Sequence, residues 1–399
     1  MSERPSVLGG SDEMGMDTFS SRPLIDSNIS NHKPQNTPFR QQTLKAWLPV
    51  LIPQVVITFF AVMGVVMLIV GSKLRRENHK IVEYSLQYDG SGTDPSLGSC
   101  RLASLGASAS CSLNMVIDKD MKAPVYVYYE LGNMLQNHRR YVKSRSSSQL
   151  TGQTDRPDDD CDPLQFDLDT EQALNPCGLV ASSMFNDIFT VTSAPAPFDS
   201  STGSAGYMDE SRIAWDIDRE RRFAQPKEFR SVLCPGTEAC GSSSCLGSTY
   251  AVGCGITMYK GQRFAYWYPD DDTTIYLYEM YPLVVNPVEG VTNEHFMVWM
   301  RTAGLPEFRK LYGRIDSDIP AGSTISFDVA ASYYVSGFSG KKSLVLSTMS
   351  QFGASNAVMG NAYIVVGALS FAIALFFLAK HLLNPRKLGD ARFLLLKDL

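Results

Sequence analysis

The residues able to ionise, attack or coordinate set the first limits on this 399-residue chain. Its five histidines, His32, His79, His138, His295 and His381, are scattered, and no GxSxG, HExxH, GxGxxG or Walker-type loop occurs. Two acidic triplets, Asp158–Asp160 and Asp270–Asp272, offer carboxylates to calcium, but neither has the ligand spacing of an EF-hand loop. Solvated turns are expected there. No catalytic residue, cofactor or metal is expected, and the chain reads as a non-enzyme. The densest basic run is Gln136-Asn137-His138-Arg139-Arg140-Tyr141-Val142-Lys143-Ser144-Arg145. Guanidinium forks can grip acidic loops of a partner or lipid head groups. The competing expectation is ion pairing inside the domain, with Asp158, Asp159 and Asp160, plus a solvated face. Charge alone favours the second.

Two apolar runs must position these residues. The first is free of charge from Trp47 to Gly71 and holds fifteen Leu, Ile, Phe or Val between Leu48 and Val70. As a helix rising about 1.5 Å per residue it crosses the ~30 Å core of a bilayer. Each such residue favours insertion by roughly 0.3–0.6 kcal/mol, which outweighs Pro49, Pro53 and Gln54. It starts too far in, and runs too long, for a cleaved signal, so a retained signal anchor is expected. The second run, Val358–Ala379, is also uncharged and ends at Lys380 and His381. It carries small residues at Gly360, Gly367, Ala368, Ser370, Ala372 and Ala374. Ala368/Ala372 and Ser370/Ala374 form pairs that let helix backbones approach.

Two crossings divide the chain into a tail (1–46), a span (47–71), an ectodomain (72–357), a second span (358–379) and a second tail (380–399). Both tails share one side of the membrane. Lys and Arg counts lean slightly towards cytosolic tails. Cysteine decides it: Cys100, Cys111, Cys161, Cys177, Cys234, Cys240, Cys245 and Cys254 all lie in the ectodomain. An even count in one compartment suits disulfides in a lumen or cell exterior, and zinc is the poorer reading, since no CxxC pair occurs and no His lies near the cysteines. The net charge of −5 argues against nucleic acid as partner.

Residues 1–38 are too polar to fold alone. In the ectodomain, short aromatic and β-branched runs separated by Gly, Pro or Asp predict strands at Pro124–Leu131, Thr274–Glu279, Pro282–Val285, Thr324–Val335 and Ser343–Ser347. That pattern favours a mainly antiparallel, sandwich-like α+β ectodomain. Helices are predicted over Leu179–Phe189 and Leu305–Tyr312, the charged stretch Lys73–Lys80 extending the first span.

Collinear strings then resemble one family. They are Phe39-Arg40-Gln41-Gln42 with Ala46-Trp47, the run Asn137 to Arg145, Pro176-Cys177-Gly178, and Ser183-Met184-Phe185-Asn186-Asp187. Ile213-Ala214-Trp215, Val298-Trp299-Met300-Arg301-Thr302-Ala303 and Phe308-Arg309-Lys310-Leu311-Tyr312 follow. The chain resembles the accessory β-subunits of type-IV P-type ATPases, the phospholipid flippases, called the cell cycle control protein 50 family. The resemblance implies two transmembrane helices, cytosolic tails and a lumenal β-sandwich in a heterodimer with a ten-span flippase. It implies that the ATPase does the chemistry, and that the β-subunit supports its exit from the endoplasmic reticulum and its transport of membrane phospholipids. Residence in endoplasmic reticulum, Golgi/endosomal or plasma membrane follows. The resemblance also implies disulfides Cys100–Cys111 and Cys161–Cys177. On this reading the candidate partner interface comprises Phe39, Arg40, Gln41, Gln42, Asn137, His138, Arg139, Arg140, Tyr141, Trp299 and Arg301. Two departures stand out. Cys234, Cys240, Cys245 and Cys254 are extra, and two further disulfides bracing an insertion at about 230–260 are expected. The ectodomain also lacks any N-x-S/T sequon. The rival expectation is a two-span ion-channel subunit with a disulfide-rich ectodomain. It would need polar pore-lining positions, and only Asn361 and Ser370 qualify.

Overall fold

The computed structural model describes residues 36–44, 52–94, 99–154, 159–196, 207–234, 255–349, 353 and 357–385. Residues 1–35 and 386–399, Ala46-Trp47, Asp158 and the cysteines at 240, 245 and 254 lie outside the described residues. Two compact units are present: Met1–Val56 with Lys387–Leu399, and Ile57–Arg386.

The first long helix, α1 (Pro53–Asn78), runs past Gly71 into the charged stretch, as predicted. The last, α6 (Ala357–Leu383), contains the whole second run. Both are long and apolar enough to cross a membrane, and their most apolar windows are only 11% and 17% buried. A soluble core helix would be mostly covered, so this is a membrane protein. The two helices meet through glycine. A Cβ on Gly64 would lie 3.0 Å from the Phe371 nitrogen, and one on Gly367 2.9 Å from that of Leu68. Gly71 against Ile364 and Gly360 against Arg75 repeat the approach one heptad away. Ser370 and Ala374 are buried, whereas Ala368 and Ala372 are exposed, so only one of the two predicted small-residue pairs lies on the covered face.

Between the spans, one antiparallel sheet runs β1 (Glu83–Gly90), β13 (Lys341–Thr348), β3 (Val125–Gly132), β11 (Phe308–Ile315), β6 (Met208–Asp209). A second runs β2 (Ala109–Val116), β12 (Thr324–Ala331), β5 (Ile188–Ser193). Alternation creates the interior. Ile325, Phe327 and Val329 of β12 point inward, in register with Met115, Leu113 and Cys111 of β2. Val125, Val127, Tyr129 and Leu131 of β3 face them from the first sheet in one core. Rings bridge the sheets: Phe189 meets Tyr88 at 5.8 Å and Tyr312 at 4.9 Å, both edge to face. The expected sandwich-like fold is therefore present. A third sheet, β7 (Arg230–Leu233), β9 (Gln262–Trp267), β8 (Gly255–Tyr259), flanks the cysteine-rich insertion, and β10 (Thr274–Tyr276) pairs in parallel with β4 (Ala173–Asn175).

The Cys100–Cys111 and Cys161–Cys177 disulfides are formed, with Cα separations of 5.2 and 5.7 Å. Cys234 is also disulfide-bonded, to a partner outside the described residues.

Four local expectations are corrected. Leu305–Tyr312 is not helical: Phe308, Lys310 and Tyr312 turn inward and Arg309 outward as strand β11. Its pairing with β3 overrides a helical spacing of only eight residues. Leu179–Phe189 holds one 3-10 turn, Ala181–Ser183, before β5 begins. Tertiary groups take its backbone: Trp299 Nε1 donates to the Val180 carbonyl at 2.8 Å, and Met184 N–H donates to the Tyr281 hydroxyl at 3.0 Å. Thr274–Glu279 stops as a strand at Tyr276, where the Glu279 carboxylate accepts the Tyr276 N–H at 2.7 Å and starts the turn α4 (Leu277–Met280). Pro282–Val285 is a turn, closed by Val285 N–H on the Tyr281 carbonyl at 2.9 Å.

Candidate partner interface

The basic run leaves β3 and divides by side. Gln136 is buried and accepts the Ala303 N–H at 2.9 Å; Asn137 donates to the Gly304 carbonyl at 2.8 Å. These bonds tie the run to the segment after α5 (Glu294–Met300), a helix that Asn293 caps by accepting the Phe296 N–H. Within the next turn, α2 (Arg139–Lys143), the half-buried Tyr141 hydroxyl meets Ser183 Oγ at 2.8 Å. Ser144 then goes inside, donating to the Cys161 carbonyl at 3.0 Å and accepting the Leu179 N–H at 2.8 Å. The chain passes Ser144 so closely that a Cβ on Gly178, at φ +103°, would stand 2.3 Å from the Ser144 carbonyl oxygen. Pro176-Cys177-Gly178 and the basic run are thus two halves of one brace, stitched by Cys161–Cys177. In α3 (Ser147–Leu150), capped by Ser146, Gln149 completes the brace by accepting the Cys177 N–H at 2.8 Å.

The outer side holds His138, Arg139, Arg140 and Lys143, all exposed. The expected pairing with the acidic triplet is not made by its described members, Asp159 and Asp160; Arg140 instead stands 3.9 Å from Asp162, both largely in solvent. Such a pair contributes little. The face remains cationic.

Beyond Arg145, two of the quoted strings meet around a cleft of about 540 Å3 lined by Arg145, Ser147, Asp218, Arg222, Arg301 and Thr302. Asp218 heads a π-helical turn, Asp218–Arg222, and its carboxylate is only 2% exposed. Arg301 donates from Nε to Asp218 Oδ2 at 2.5 Å and lies 4.5 Å above the Trp215 ring. The other carboxylate oxygen has no hydrogen bond; its nearest cation is Arg222 at 3.6 Å. Trp215 is 65% exposed, a large area for an indole with no role in the core. Exposed Trp stacked with Arg is the composition of binding hot spots. Behind the cleft, Lys310 Nζ donates to the carbonyls of Val298, at 3.0 Å, and Arg301, fixing the end of α5. Burial, helped by the Arg301 charge, pushes the Lys310 ammonium down to about 8.

The sequence-predicted site residues are therefore not one surface. His138, Arg139 and Arg140 share an exposed edge, with Asn137 and Tyr141 anchoring it, while Arg301 belongs to the cleft. Trp299 is a correction: it is wholly buried, so it serves the surface only by holding the core beneath. Phe39, Arg40, Gln41 and Gln42 lie in the other unit, in a turn where Gln41 N–H donates to the Thr37 carbonyl at 2.9 Å. Phe39 is 76% exposed there. Sequence reasoning passed over Asp218, Arg222 and Trp215 as site residues. The available signal was Trp215 followed three residues later by an acid and then by Arg219, Arg221 and Arg222.

A profile of the LEM3 (ligand-effect modulator 3) family / CDC50 family matches residues 74–387, from the end of the first span past the end of the second. The chain belongs to the CDC50 family. It is 33% identical to "ALA-interacting subunit 3" of Arabidopsis thaliana over 92% of this chain and 91% of that one. It is 32% identical to "Cell cycle control protein 50A" of Bos taurus, covering 87% and 88%. With "Phospholipid-transporting ATPase accessory subunit CRF1" of Saccharomyces cerevisiae it shares 28% identity, covering 91% and 89%. The CDC50-family match includes both the brace and the cleft.

Proposed function

We infer that this chain is the non-catalytic accessory subunit of a phospholipid-transporting P-type ATPase, required for the pump's stability, exit from the endoplasmic reticulum and transport cycle. The observation that carries the reading is the match over residues 74–387 to a family in which one relative is named a phospholipid-transporting ATPase accessory subunit. The polar groups of the brace are consumed in holding the fold, which agrees with a binding role. ATP chemistry belongs to the partner.

The tails are assigned to the cytosol and the ectodomain to a lumen or the cell exterior, in the endoplasmic reticulum, Golgi, endosomes or plasma membrane. Disulfides confined to the ectodomain support that orientation. Three surfaces are assigned to the ATPase. They are the outer faces of α1 and α6, the turn around Phe39, and the cationic edge of His138, Arg139 and Arg140 with the Trp215–Arg301 cleft. Remaining helix surface meets phospholipid.

Affinity purification of the full chain in mild detergent, read by mass spectrometry, is expected to recover a P-type ATPase in equal amount. Trp215→Ala combined with Arg139→Glu and Arg140→Glu is expected to reduce that recovery at least tenfold while the ectodomain stays folded. Recovery of a homo-trimer without ATPase would support the channel-subunit reading instead and overturn this one.

A further inference from the structure

Lys342 lies on the inward face of β13, and neither it nor its two acidic neighbours, Asp187 and Asp89, exposes any side-chain surface. Its Nζ is 2.8 Å from Asp187 Oδ2 and 3.3 Å from Asp89 Oδ2, and it donates to the Tyr333 carbonyl at 2.8 Å. Asp187 is held on every side. Its Oδ1 accepts backbone N–H groups of Ser332 at 2.6 Å and Tyr333 at 2.7 Å, and Oδ2 accepts the Tyr88 hydroxyl at 2.8 Å. Asp89 Oδ1 accepts the Gly90 N–H at 2.7 Å, but Asp89 Oδ2 has no hydrogen bond and faces the lysine. The ring of Tyr88 stands 5.2 Å from the ammonium and meets Phe189 edge-on.

A stability role alone does not account for this set. One amine against two carboxylates leaves excess negative charge in a dry site, and apolar residues of similar volume hold a core at least as well. The arrangement instead has the parts of an amide-forming site. It has an amine in contact with a carboxyl group, two N–H donors on the oxygen where negative charge would develop, and a second acid beside the nitrogen. Both reactants are fixed in place, so the entropic part of the barrier is already met by folding.

We propose that Lys342 and Asp187 condense into an intramolecular isopeptide bond, with Asp89 as the catalytic proton carrier. The ammonium first passes one proton directly to Asp187 Oδ2. The neutral Nζ lone pair then attacks Cγ, and the negative charge gathers on Oδ1 against the Ser332 and Tyr333 N–H groups. Asp89 Oδ2 takes a second proton from the nitrogen and delivers it to the departing Oδ2. That oxygen leaves as water with both protons, the nitrogen keeps one, and Asp89 returns to a carboxylate. No oxidant or external reactant enters. The product replaces an ion pair by a neutral amide. It links residues 155 apart and joins the five-stranded sheet to the segment entering β5 of the other sheet. The two fully described disulfides span only 11 and 16 positions, so neither provides such a tie.

The test is the mass of the full chain purified in detergent, reduced and alkylated, followed by peptide mapping. Wild type is expected to be lighter by one water than its sequence, with the Lys342 peptide joined to the Asp187 peptide in a branched product. Lys342→Arg and Asp187→Ala are expected at full mass, running more slowly than wild type on reducing denaturing gels because the long loop is open. Asp89→Asn, which keeps the pair but removes the proton carrier, is expected to lower the linked fraction at least tenfold. Wild-type protein at full mass, with Lys342 and Asp187 recovered in separate unmodified peptides, overturns the proposal. A lost water confined to the Asp187 peptide alone, as in cyclisation at that aspartate, overturns it as well.

Discussion

Replacing Arg301 by alanine tests whether the cleft is built around a buried charge. Asp218 is 2% exposed, and its one charge-assisted hydrogen bond comes from Arg301 at 2.5 Å. Orphaning a fully buried charge costs about 3–5 kcal/mol. Here the cost is smaller, because Arg301 is 37% exposed and Arg222 remains 3.6 Å from the other oxygen, which leaves about 2–3 kcal/mol. Loss of the stack on Trp215 adds about 0.5–1 kcal/mol at an exposed site. A total near 3 kcal/mol lowers the melting temperature of a domain this size by about 5 °C. Asp218→Asn removes the charge itself, so the pair Asp218→Asn with Arg301→Ala should be less destabilised than the sum of the single changes, by at least ~1 kcal/mol. Thermal unfolding in detergent, followed by near-ultraviolet circular dichroism, reads all three variants. The reasoning fails if Arg301→Ala costs under about 1 kcal/mol, or if the two substitutions add to within ~0.5 kcal/mol.

Three further outcomes follow from the same contacts. Lys310 titrates at about 8 when folded, below the ordinary lysine value of 10.5, so between these limits the unfolded chain binds the extra proton. Stability should therefore rise as pH increases from about 8 towards 10, and Lys310→Met should flatten that rise in melting curves taken across the range. Gly367→Leu would drive a side chain into the Leu68 backbone and should cost about 1–3 kcal/mol, whereas Ala368→Leu on the exposed face should stay within about 0.5 kcal/mol. Melting temperature in detergent separates the two. Finally, non-reduced, denatured protein treated with a thiol reagent should take up no label, since Cys234, Cys240, Cys245 and Cys254 are expected to pair among themselves. Label on any of the four refutes the braced insertion.

The legible parts of this chain were those governed by composition over long windows. Two uncharged runs become helices in any arrangement, because a bilayer tolerates no unsatisfied backbone. Eight cysteines confined to one segment mark it as the part to be braced by disulfides. The strand expected over Thr324–Val335 forms, though it ends at Ala331. What tertiary structure decided were matters of contact between residues far apart in sequence. Leu305–Tyr312 has a helical spacing and a strand spacing at once, and only pairing with β3 chooses. The small residues of the second span are alike in sequence, yet the close approach of α1 selects Gly360 and Gly367 and leaves Ala368 outside. The basic run reads as one patch, but hydrogen bonds to Ala303, Leu179 and Cys161 turn half of it inward. Nothing in the sequence around Lys342 distinguishes it from other ectodomain lysines; folding sets it between Asp89 and Asp187. Propensity and hydropathy act within a few residues, while burial is settled by which distant surfaces meet.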